Sequence, residues 1–396
     1  AYYAFDTTDE IEEMRERLKK SGNPSPKYDS ITRQSMKNSL TLSQDEVQKR
    51  LDTGDEYVIR LKVPRRQTVK FEDQIRGVVS FDTSGLDDQV LLKSDGMPTY
   101  HLANVVDDHT MEITHVIRGE EWLSSAPKHM LLYQAFGWEP PIMAHLPLIM
   151  SPSGGKLSKR KAESEGIPVN TKDYRSGHYE ADALINFLAF LGWNPGDERE
   201  LFNIEELCKE FTLERVGKSG AKFDPDKAKW YNQQYLRQRS SEELAELLKD
   251  YIADNGLQNT SFELSPICEL MKERATFIKD IYEDGKYFFE GVTSYDEKTT
   301  RKKWKEHTTG IMTEWLETAK SIEDYSADHI EEQFKAFITS KELGLGAVLP
   351  NFRLLLTGVG SGPSLFSIAE ILGKEEVISR METGIAKITD LKSQEA

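Results

Sequence analysis

Apolar residues recur at helical spacing along most of the chain. Asp6–Lys20 is predicted to be a helix with Thr8 as its N-cap. The same spacing predicts helices at Ser43–Leu51, Thr99–His109, Glu121–Phe136, Ala181–Leu191, Glu242–Ala253, Ile267–Tyr282, Ile311–Ser321 and Ile368–Leu372. Ser43, followed by Glu46 three residues later, forms a capping-box pattern at the start of the second helix. Beyond residue 240 nearly the whole chain is therefore predicted to be helical.

Apolar runs predict strands in the first 150 residues. The runs are Tyr57–Val63, Val78–Asp82, Val90–Lys93, His115–Arg118 and His145–Met150. The last two flank a predicted helix, and the order strand, helix, strand is typical of a parallel α/β sheet. We therefore predict a multidomain protein with α/β and all-α parts. Its divisions are 1–98 (a mixed α+β unit), 99–150 (part of an α/β domain), 151–240 (a region with helices) and 241–396 (an all-helical domain).

Composition limits the class of protein. Hydrophobic residues make up 38% of the 396 residues, and no apolar run approaches the roughly 18 residues that a membrane-spanning helix needs. Two cysteines, Cys208 and Cys268, lie far apart and suggest neither a disulfide framework nor a zinc cluster. The first twenty residues are acidic and then helical, which excludes a signal peptide. We expect a cytoplasmic protein without membrane segments.

The net charge of −16 argues at first against a nucleic-acid partner, because phosphate binding requires cations. However, the charge of the whole chain is not the charge of one face. Basic residues cluster at 62–70, 156–161 and 301–305. Any one such run is more often a solvated surface than a binding site.

The segment 151–161, SPSGGKLSKRK, contains four cations and no anion. It follows a predicted parallel strand, at the carboxyl end where α/β sheets bind ligands. Its glycines favour a mobile loop, and its ammonium groups can reach phosphate oxygens. Phosphoryl or adenylyl transfer needs positive charge at this kind of position, where negative charge develops in the transition state.

Two constellations upstream add polar groups. Tyr100 and Asn104 lie four residues apart and project from one helix face, which suits a small polar ligand such as an amino acid; a buried tyrosine satisfied by its neighbour is the alternative. The consecutive residues 107–109, DDH, point in different directions and are interpreted as helix-end residues rather than metal ligands.

Arg118 ends a strand before a glycine, so it can bind a carboxylate or pair with residues 120–121. The Trp122 side chain is either part of the hydrophobic core or an aromatic wall against which a base packs.

The run Asp95–Trp138, DGMPTYHLANVVDDHTMEITHVIRGEEWLSSAPKHMLLYQAFGW, is similar over its whole length to the bacterial glutamyl-tRNA synthetases. KLSKR at 156–160 resembles the variant of the class I KMSKS motif typical of that family, at a matching distance. Ala183–Trp193, Phe223–Arg237 and Phe352–Gly373 continue the resemblance. It covers essentially the whole chain and is weakest in the helical tail.

The resemblance implies an ATP-dependent ligase that converts L-glutamate to glutamyl-adenylate and transfers it to the 3′ end of tRNA. It identifies 1–98 as an inserted acceptor-stem-binding domain and 99–150 as the second half of a Rossmann-type class I catalytic domain. It identifies 151–240 as the KLSKR loop with a helical stem-contact region, and 241–396 as an α-helical anticodon-binding domain. Partners are then tRNA, ATP and L-glutamate, and we expect a monomer.

Site residues follow position by position from the resemblance. Tyr100, Asn104 and Arg118 would hold glutamate, and Arg118 would pair with a carboxylate. Glu121 and Trp122 would border the pocket for ATP and the tRNA end.

The same transfer assigns the nucleotide contacts. The backbone around Leu148 and Ile149 would meet adenine. Lys156, Lys159 and Arg160 would stabilise the phosphates as pyrophosphate leaves, with Lys159 the first choice for a direct ATP contact. Mg²⁺ would arrive with ATP, held mainly by phosphates, so no metal cage of side chains is expected.

The chain departs from the family pattern in two respects. No histidine has the context of the HIGH motif, so we expect the first half of the nucleotide-binding fold to be absent, this polypeptide alone to be inactive, and the KLSKR loop to be loosely held. Some relatives bind zinc just after Ala-Tyr-Tyr, where this chain has Ala4, Asp6 and later Thr32, so no structural zinc is expected.

The alternatives are a module that only binds tRNA and a glutaminyl-type ligase, and the helical tail argues against a tRNA-modifying paralogue. A module that only binds tRNA would share the same domains. A glutaminyl-type ligase would end in β-barrels rather than helices, and a tRNA-modifying paralogue would lack the helical tail.

Overall fold

The computed structural model describes residues 1–395, with side chains for residues 1–390. The chain forms two compact units: the first contains Ala1–Lys161 and Ala189–Phe223, and the second contains Ala162–Leu188 and Asp224–Ala396. The strands are β1 (Tyr2–Ala4), β2 (Val58–Arg60), β3 (Thr68–Asp73), β4 (Gly77–Asp82), β5 (Val90–Leu92), β6 (His115–Gly119), β7 (Ile142–Leu146), β8 (Ile149–Met150) and β9 (Ala221–Lys222). The helices are α1 (Thr8–Lys20), α2 (Gln44–Thr53), α3 (Tyr100–Thr110), α4 (Ala126–Phe136), α5 (Lys159–Ser164), α6 (Thr171–Ser176), α7 (Ala181–Ala189), α8 (Ile204–Glu210), α9 (Pro225–Gln238), α10 (Ser241–Asp254), α11 (Leu264–Met271), α12 (Ile278–Asp284), α13 (Lys286–Phe289), α14 (Glu297–Lys303), α15 (Thr308–Ser321), α16 (Ala327–Ser340), α17 (Leu345–Thr357) and α18 (Leu365–Glu395, interrupted at Gly373).

The caps of the first two helices follow from their side chains. Thr7, not Thr8, caps α1: its hydroxyl accepts from the Glu10 amide, and the Glu10 carboxylate accepts from the Thr7 amide. The prediction of Thr8 was therefore wrong by one residue, because Thr8 already has helical geometry. Ser43 does cap α2 through the Glu46 amide, as predicted, whereas the Glu46 carboxylate pairs with Arg50.

The first unit contains a central four-stranded sheet in the order β4–β3–β7–β6, with β3, β7 and β6 parallel and β4 antiparallel at the edge. The parallel pairing of β6 with β7 across α4 confirms the predicted strand–helix–strand unit. Strand β3 was missed because only Val69 and Phe71 among its six residues are apolar, and its exposure alternates accordingly. A separate antiparallel sheet joins β1, β2 and β5.

Proline sets two boundaries beside the central sheet. The predicted helix at Glu121–Phe136 starts as α-helix only at Ala126; the preceding Glu120–Ser125 turn is 3-10 helix. Pro127 fits the first turn of α4, where a missing N–H is tolerated. The predicted strand His145–Met150 is divided by Pro147 into β7 and β8, and β8 pairs with β9 instead of extending the central sheet.

The second unit is helical around one large apolar core. Between Ser241 and Glu395 the described residues form helices and no strand. Trp315, Phe334 and Phe352 are fully buried at the centre of this core. The predicted helix at Ile267–Tyr282 is in fact α11 and α12, because the Asp280 carboxylate accepts the amides of residues 276 and 277 and starts a new helix there. Among the described residues no helix is long and apolar enough to cross a membrane.

Candidate active site

The candidate site lies where β3, β7 and β6 end in the central sheet. Arg118 of β6 is the register partner of His145 of β7, and Asp73 is the last residue of β3. Tyr100 is the first residue of α3. Because the carboxyl ends of parallel strands meet at one edge, residues far apart in sequence come together there.

These four residues, Asp73, His145, Arg118 and Tyr100, form a chain of hydrogen bonds that we call the Arg118 network. Arg118 Nε lies 3.1 Å from His145 Nε2, and Arg118 Nη1 lies 3.4 Å from the Tyr100 hydroxyl. His145 Nδ1 lies 2.6 Å from Asp73 Oδ2, and both of these side chains are fully buried. The network therefore leads from the protein interior to Tyr100, which is 47% exposed.

The charge state of the network follows from its contacts. Burial lowers the pKa of His145 despite the hydrogen bond to Asp73, so the imidazole is neutral at pH 7. Burial works against ionisation of Asp73, but hydrogen bonds from His145 and from backbone amides lower its pKa overall. Asp73 is therefore a buried carboxylate beside a neutral histidine.

One polar atom of the network is unsatisfied. Arg118 Nη2 is buried and has no hydrogen-bond partner among the described residues. A buried, unpaired guanidinium N–H is energetically unfavourable, and a carboxylate is the group that satisfies it best. The arrangement is therefore suited to binding an anionic group beside Tyr100.

The alternative pairing of Arg118 with the neighbouring glutamates is wrong. Glu120 instead pairs with Arg76, at 2.7 Å, and accepts from the Leu148 amide. Glu121 pairs with Lys156 of the KLSKR loop, at 2.9 Å. Both acids are thus engaged elsewhere, and Arg118 is left for the network.

Asn104 lies one turn after Tyr100 on α3, and Trp122 contacts the Tyr100 ring. The Asn104 side chain donates to Asp108. Burial raises the pKa of Asp108, although Arg118 and this hydrogen bond oppose the rise. The Trp122 ring lies 5.2 Å from the Tyr100 ring and is 43% exposed, which favours the aromatic wall over the core.

The rings of two further histidines, His101 and His129, lie 5.4 and 6.0 Å from the Tyr100 ring. His101 Nδ1 and His129 Nε2 are 3.0 Å apart. Burial lowers the pKa of both, and that of His129 falls to about 3. The two rings are therefore neutral at pH 7, and one nitrogen of the contact donates to the other.

A hydrogen-bonded turn at residues 151–155 precedes the KLSKR loop, whose loose hold stays a prediction. The Ser151 amide donates to the Gly155 carbonyl, and the Gly154 amide donates back to Ser151, both at 2.9 Å. Gly154 and Gly155 have φ of 94° and 74°, a conformation that glycine adopts without strain. Lys161 binds the carbonyl of Gly154 and ties α5 to the turn.

The cations of this loop differ in whether they have an ion-pair partner. Lys156 is 51% exposed in its pair with Glu121. Lys159 and Arg160 are exposed on the first turn of α5, and among the described residues neither has an ion-pair partner. Both are available to an anionic ligand.

The backbone around Leu148 and Ile149 is largely paired. The Leu148 amide donates to Glu120, and its carbonyl accepts from Ala221 at 3.0 Å. The Ile149 carbonyl accepts from Leu157 at 2.8 Å, which fixes this segment next to the KLSKR loop.

The positions considered for metals have other partners. Asp6 accepts from the Tyr28 hydroxyl and the Lys37 amide, and the Thr32 hydroxyl accepts from the Asp29 amide. His109 stacks on Trp138 at 3.8 Å. Among the described residues no group of three or more His, Cys, Asp or Glu side chains could hold a metal ion.

Sequence reasoning missed Asp73, His145 and Arg76. Arg76 donates from Nε to the His145 carbonyl at 3.1 Å and from Nη1 to the Lys218 carbonyl at 2.6 Å, so it fastens the end of β7. The available signals were a histidine inside the predicted strand at His145–Met150 and an acidic residue just before a turn at residues 74–77.

Two family models together match most of the chain. Residues 1–230 match the family described as tRNA synthetases class I (E and Q), catalytic domain, and residues 240–385 match an anticodon binding domain. The chain is 49% identical to the glutamate–tRNA ligase of Cytophaga hutchinsonii over 98% of its own length and 78% of the relative's. The corresponding values for the Christiangramia forsetii glutamate–tRNA ligase are 48%, 97% and 79%.

A solved structure extends the likeness to three dimensions. The glutamate tRNA ligase of Elizabethkingia meningosepticum, crystallised in complex with its amino acid, superimposes with a TM-score of 0.92 at 44% identity. The match covers 98% of this chain and 79% of that one. The chain therefore belongs to the glutamate–tRNA ligases, a family of class I tRNA synthetases with a helical anticodon-binding domain.

Proposed function

We propose that the protein activates L-glutamate with ATP and transfers the glutamyl group to tRNA, using the Arg118 network for the amino acid and the KLSKR loop for the phosphates. The observation that carries this proposal is the buried, unpaired Nη2 of Arg118 beside the half-exposed Tyr100. An arginine N–H without a partner among the described residues matches a substrate with two carboxylates.

Three residues bind glutamate in this proposal. Arg118 pairs with a carboxylate through Nη2, Tyr100 offers its hydroxyl, and Asn104 offers its amide from the next turn of α3. Burial strengthens the ion pair, because the local dielectric is lower than that of water. Trp122 and Glu121 border the pocket, where ATP and the tRNA end approach.

The KLSKR loop supplies charge to the phosphates. Lys159 and Arg160 are exposed and available, whereas Lys156 would exchange Glu121 for a phosphate oxygen. Adenine would lie along the backbone at Leu148 and Ile149, with the exposed Ile149 side chain as its apolar contact. As pyrophosphate leaves, negative charge accumulates, and fixed cations stabilise that state more than the ground state.

The remaining assignments are proposals of the same kind. Mg²⁺ enters bound to the ATP phosphates, and no structural zinc is needed because Ala4, Asp6 and Thr32 occupy the relevant positions. Residues 1–98 hold the acceptor stem, 99–150 belong to the catalytic domain, 151–240 contact the tRNA stem, and 241–396 hold the anticodon. The enzyme acts as a monomer in the cytoplasm, where translation takes place.

The direct test is tRNA charging by the full-length enzyme with glutamate or glutamine as the amino acid, and with the tRNA species for each. We expect charging with glutamate and none with glutamine above background. Charging with glutamine alone would overturn the proposal in favour of a glutaminyl-type ligase, and tRNA binding without charging would favour a binding module.

A further inference from the structure

We propose that His145 and Asp73 are positioning residues that hold the Arg118 guanidinium so that its Nη2 faces the amino-acid carboxylate. The inference rests on the proposed role of Arg118 in binding glutamate. It adds two fully buried residues that do not touch the substrate themselves.

Two hydrogen bonds hold the plane of the Arg118 guanidinium. A guanidinium is rigid and planar, so a hydrogen bond at Nε fixes the direction of both terminal nitrogens. In this protein Nε is held by His145 Nε2 at 3.1 Å, and Nη1 is held by Tyr100 at 3.4 Å. Nη2 then remains as the one terminal nitrogen without a partner among the described residues.

The contacts of His145 determine which of its ring nitrogens carries the proton. Arg118 Nε can only donate, so His145 Nε2 must accept and must carry no proton. The proton of the neutral ring is then on Nδ1, which donates to Asp73 Oδ2 at 2.6 Å. Asp73 thereby selects the tautomer that can hold the arginine.

Backbone amides hold the Asp73 carboxylate in place. Its second oxygen, Oδ1, accepts from the amides of Ile75, Arg76 and His145 at 3.0, 2.8 and 3.3 Å. These bonds fix the carboxylate at the end of β3, and it cannot rotate away from the histidine without losing them. The orientation of Arg118 is therefore determined by the backbone of two neighbouring strands.

Two substitutions of His145 separate its two hydrogen bonds. In His145→Asn the amide can still donate to Asp73, but it is too short to reach Arg118. In His145→Gln the longer side chain can place its carbonyl oxygen near the position of Nε2 and accept from Arg118. Glutamine is also closer to histidine in volume, so the order of the two variants alone does not exclude a packing role. A packing role would change the KM values for glutamate and ATP and the unfolding temperature together, whereas a positioning role changes the glutamate KM selectively.

The experiment measures KM for glutamate and for ATP in the charging reaction of the full-length enzyme, with thermal unfolding as the check on folding. We expect His145→Asn to raise the glutamate KM about 10- to 100-fold, as for loss of a hydrogen bond to a charged group, with the ATP KM within about twofold. His145→Gln should restore most of the affinity. Equal increases in both KM values, or no rescue by glutamine, would overturn the inference.

A double-mutant cycle with Arg118→Lys separates the inference from the function on which it rests. If His145 acts through Arg118, the effect of His145→Asn should largely disappear in the Arg118→Lys background. An unchanged glutamate KM in Arg118→Lys alone would refute the proposed role of Arg118. A normal effect of Arg118→Lys with additive behaviour in the double variant would refute only the positioning role.

Asp73→Asn provides a second route if His145→Asn does not fold. The introduced amide can present N–H to His145 Nδ1 and reverse the tautomer, so that Nε2–H would face Arg118 Nε–H. We expect the same selective increase in the glutamate KM, and a glutamate KM like that of the unsubstituted enzyme would contradict the inference.

Discussion

The Arg118 network and the KLSKR loop lie in the same unit but are built in opposite ways. Asp73 and His145 are fully buried, and each has hydrogen bonds that fix its position. Lys159 and Arg160 are exposed on the first turn of a short helix and have no ion-pair partner among the described residues. In the first region nearly all polar groups are paired and fixed in position, whereas the second region has exposed cations that are available to a ligand.

In the proposed mechanism the difference corresponds to the two parts of the reaction. One carboxylate of glutamate reacts during activation, but the other keeps its shape and charge, so a fixed guanidinium can recognise the non-reacting carboxylate by geometry. The triphosphate gains negative charge on its leaving group as pyrophosphate departs, and cations placed at that position stabilise this state. Substitutions in the network should therefore affect stability and amino-acid affinity, whereas substitutions in the loop should affect rate alone.

The largest effect is expected for the stability of Asp73→Ala. The substitution leaves the His145 Nδ1–H and three backbone amides without their acceptor in a buried region. We expect the free energy of unfolding to fall by about 3 to 5 kcal/mol, measured by urea denaturation at pH 7. Glu121→Ala is the control in the loop contact, because its ion pair is exposed; a similar loss in both variants would remove the distinction between the two regions.

Lys159→Ala should affect rate instead of stability. We expect kcat for glutamate activation to fall about 100-fold, the size expected when one transition-state donor is removed, with the unfolding midpoint unchanged. Lys172→Ala, an exposed lysine of α6, is the matched control for loss of charge. If charging by Lys159→Ala continued at the normal rate, the assigned role would be wrong.

The sequence predicted the exposed region better than the buried one. The KLSKR loop was found from a short local string after a strand, and Arg118 was found at a strand end before a glycine. Both signals lie within a few consecutive residues. The resemblance to a family then supplied roles for Tyr100 and Asn104 that spacing alone left open.

The buried network could not be found in this way. Asp73 and His145 lie 72 residues apart, and their contact depends on the insertion of β3 beside β7. Strand β3 has too few apolar residues to be recognised from its pattern, so its last residue had no predicted location. The network depends on long-range pairing, which local periodicity does not encode.

The pH dependence of stability should reflect the buried His129, which contacts Tyr100 of the Arg118 network, whereas the KLSKR loop contains no histidine. Burial lowers the pKa of His129 from 6.5 to about 3, so the folded state resists a proton that the unfolded state accepts. Stability is therefore complete above pH 6.5 and falls as the pH decreases towards 3, by about 1.4 kcal/mol per pH unit for one proton. In His129→Gln the free energy of unfolding, measured by urea denaturation at pH 7, 6 and 5, should therefore fall less steeply with decreasing pH, by the contribution of one proton. An unchanged slope would show that His129 is protonated in the folded protein.

The smallest effect is expected for Gly119→Ala, which tests how loosely the loop is tied to the network. An added Cβ would lie 2.1 Å from the Glu121 carboxylate, whose end is flexible and 39% exposed, so Glu121 should turn away and release Lys156. Because exposed ion pairs contribute little, we expect the free energy of unfolding to change by less than about 1 kcal/mol. Gly85→Ala, where an added Cβ meets nothing within 4 Å, is the control. A loss above about 2 kcal/mol relative to this control would mean that Glu121 is held as firmly as the buried residues, since surface substitutions rarely have effects of that size.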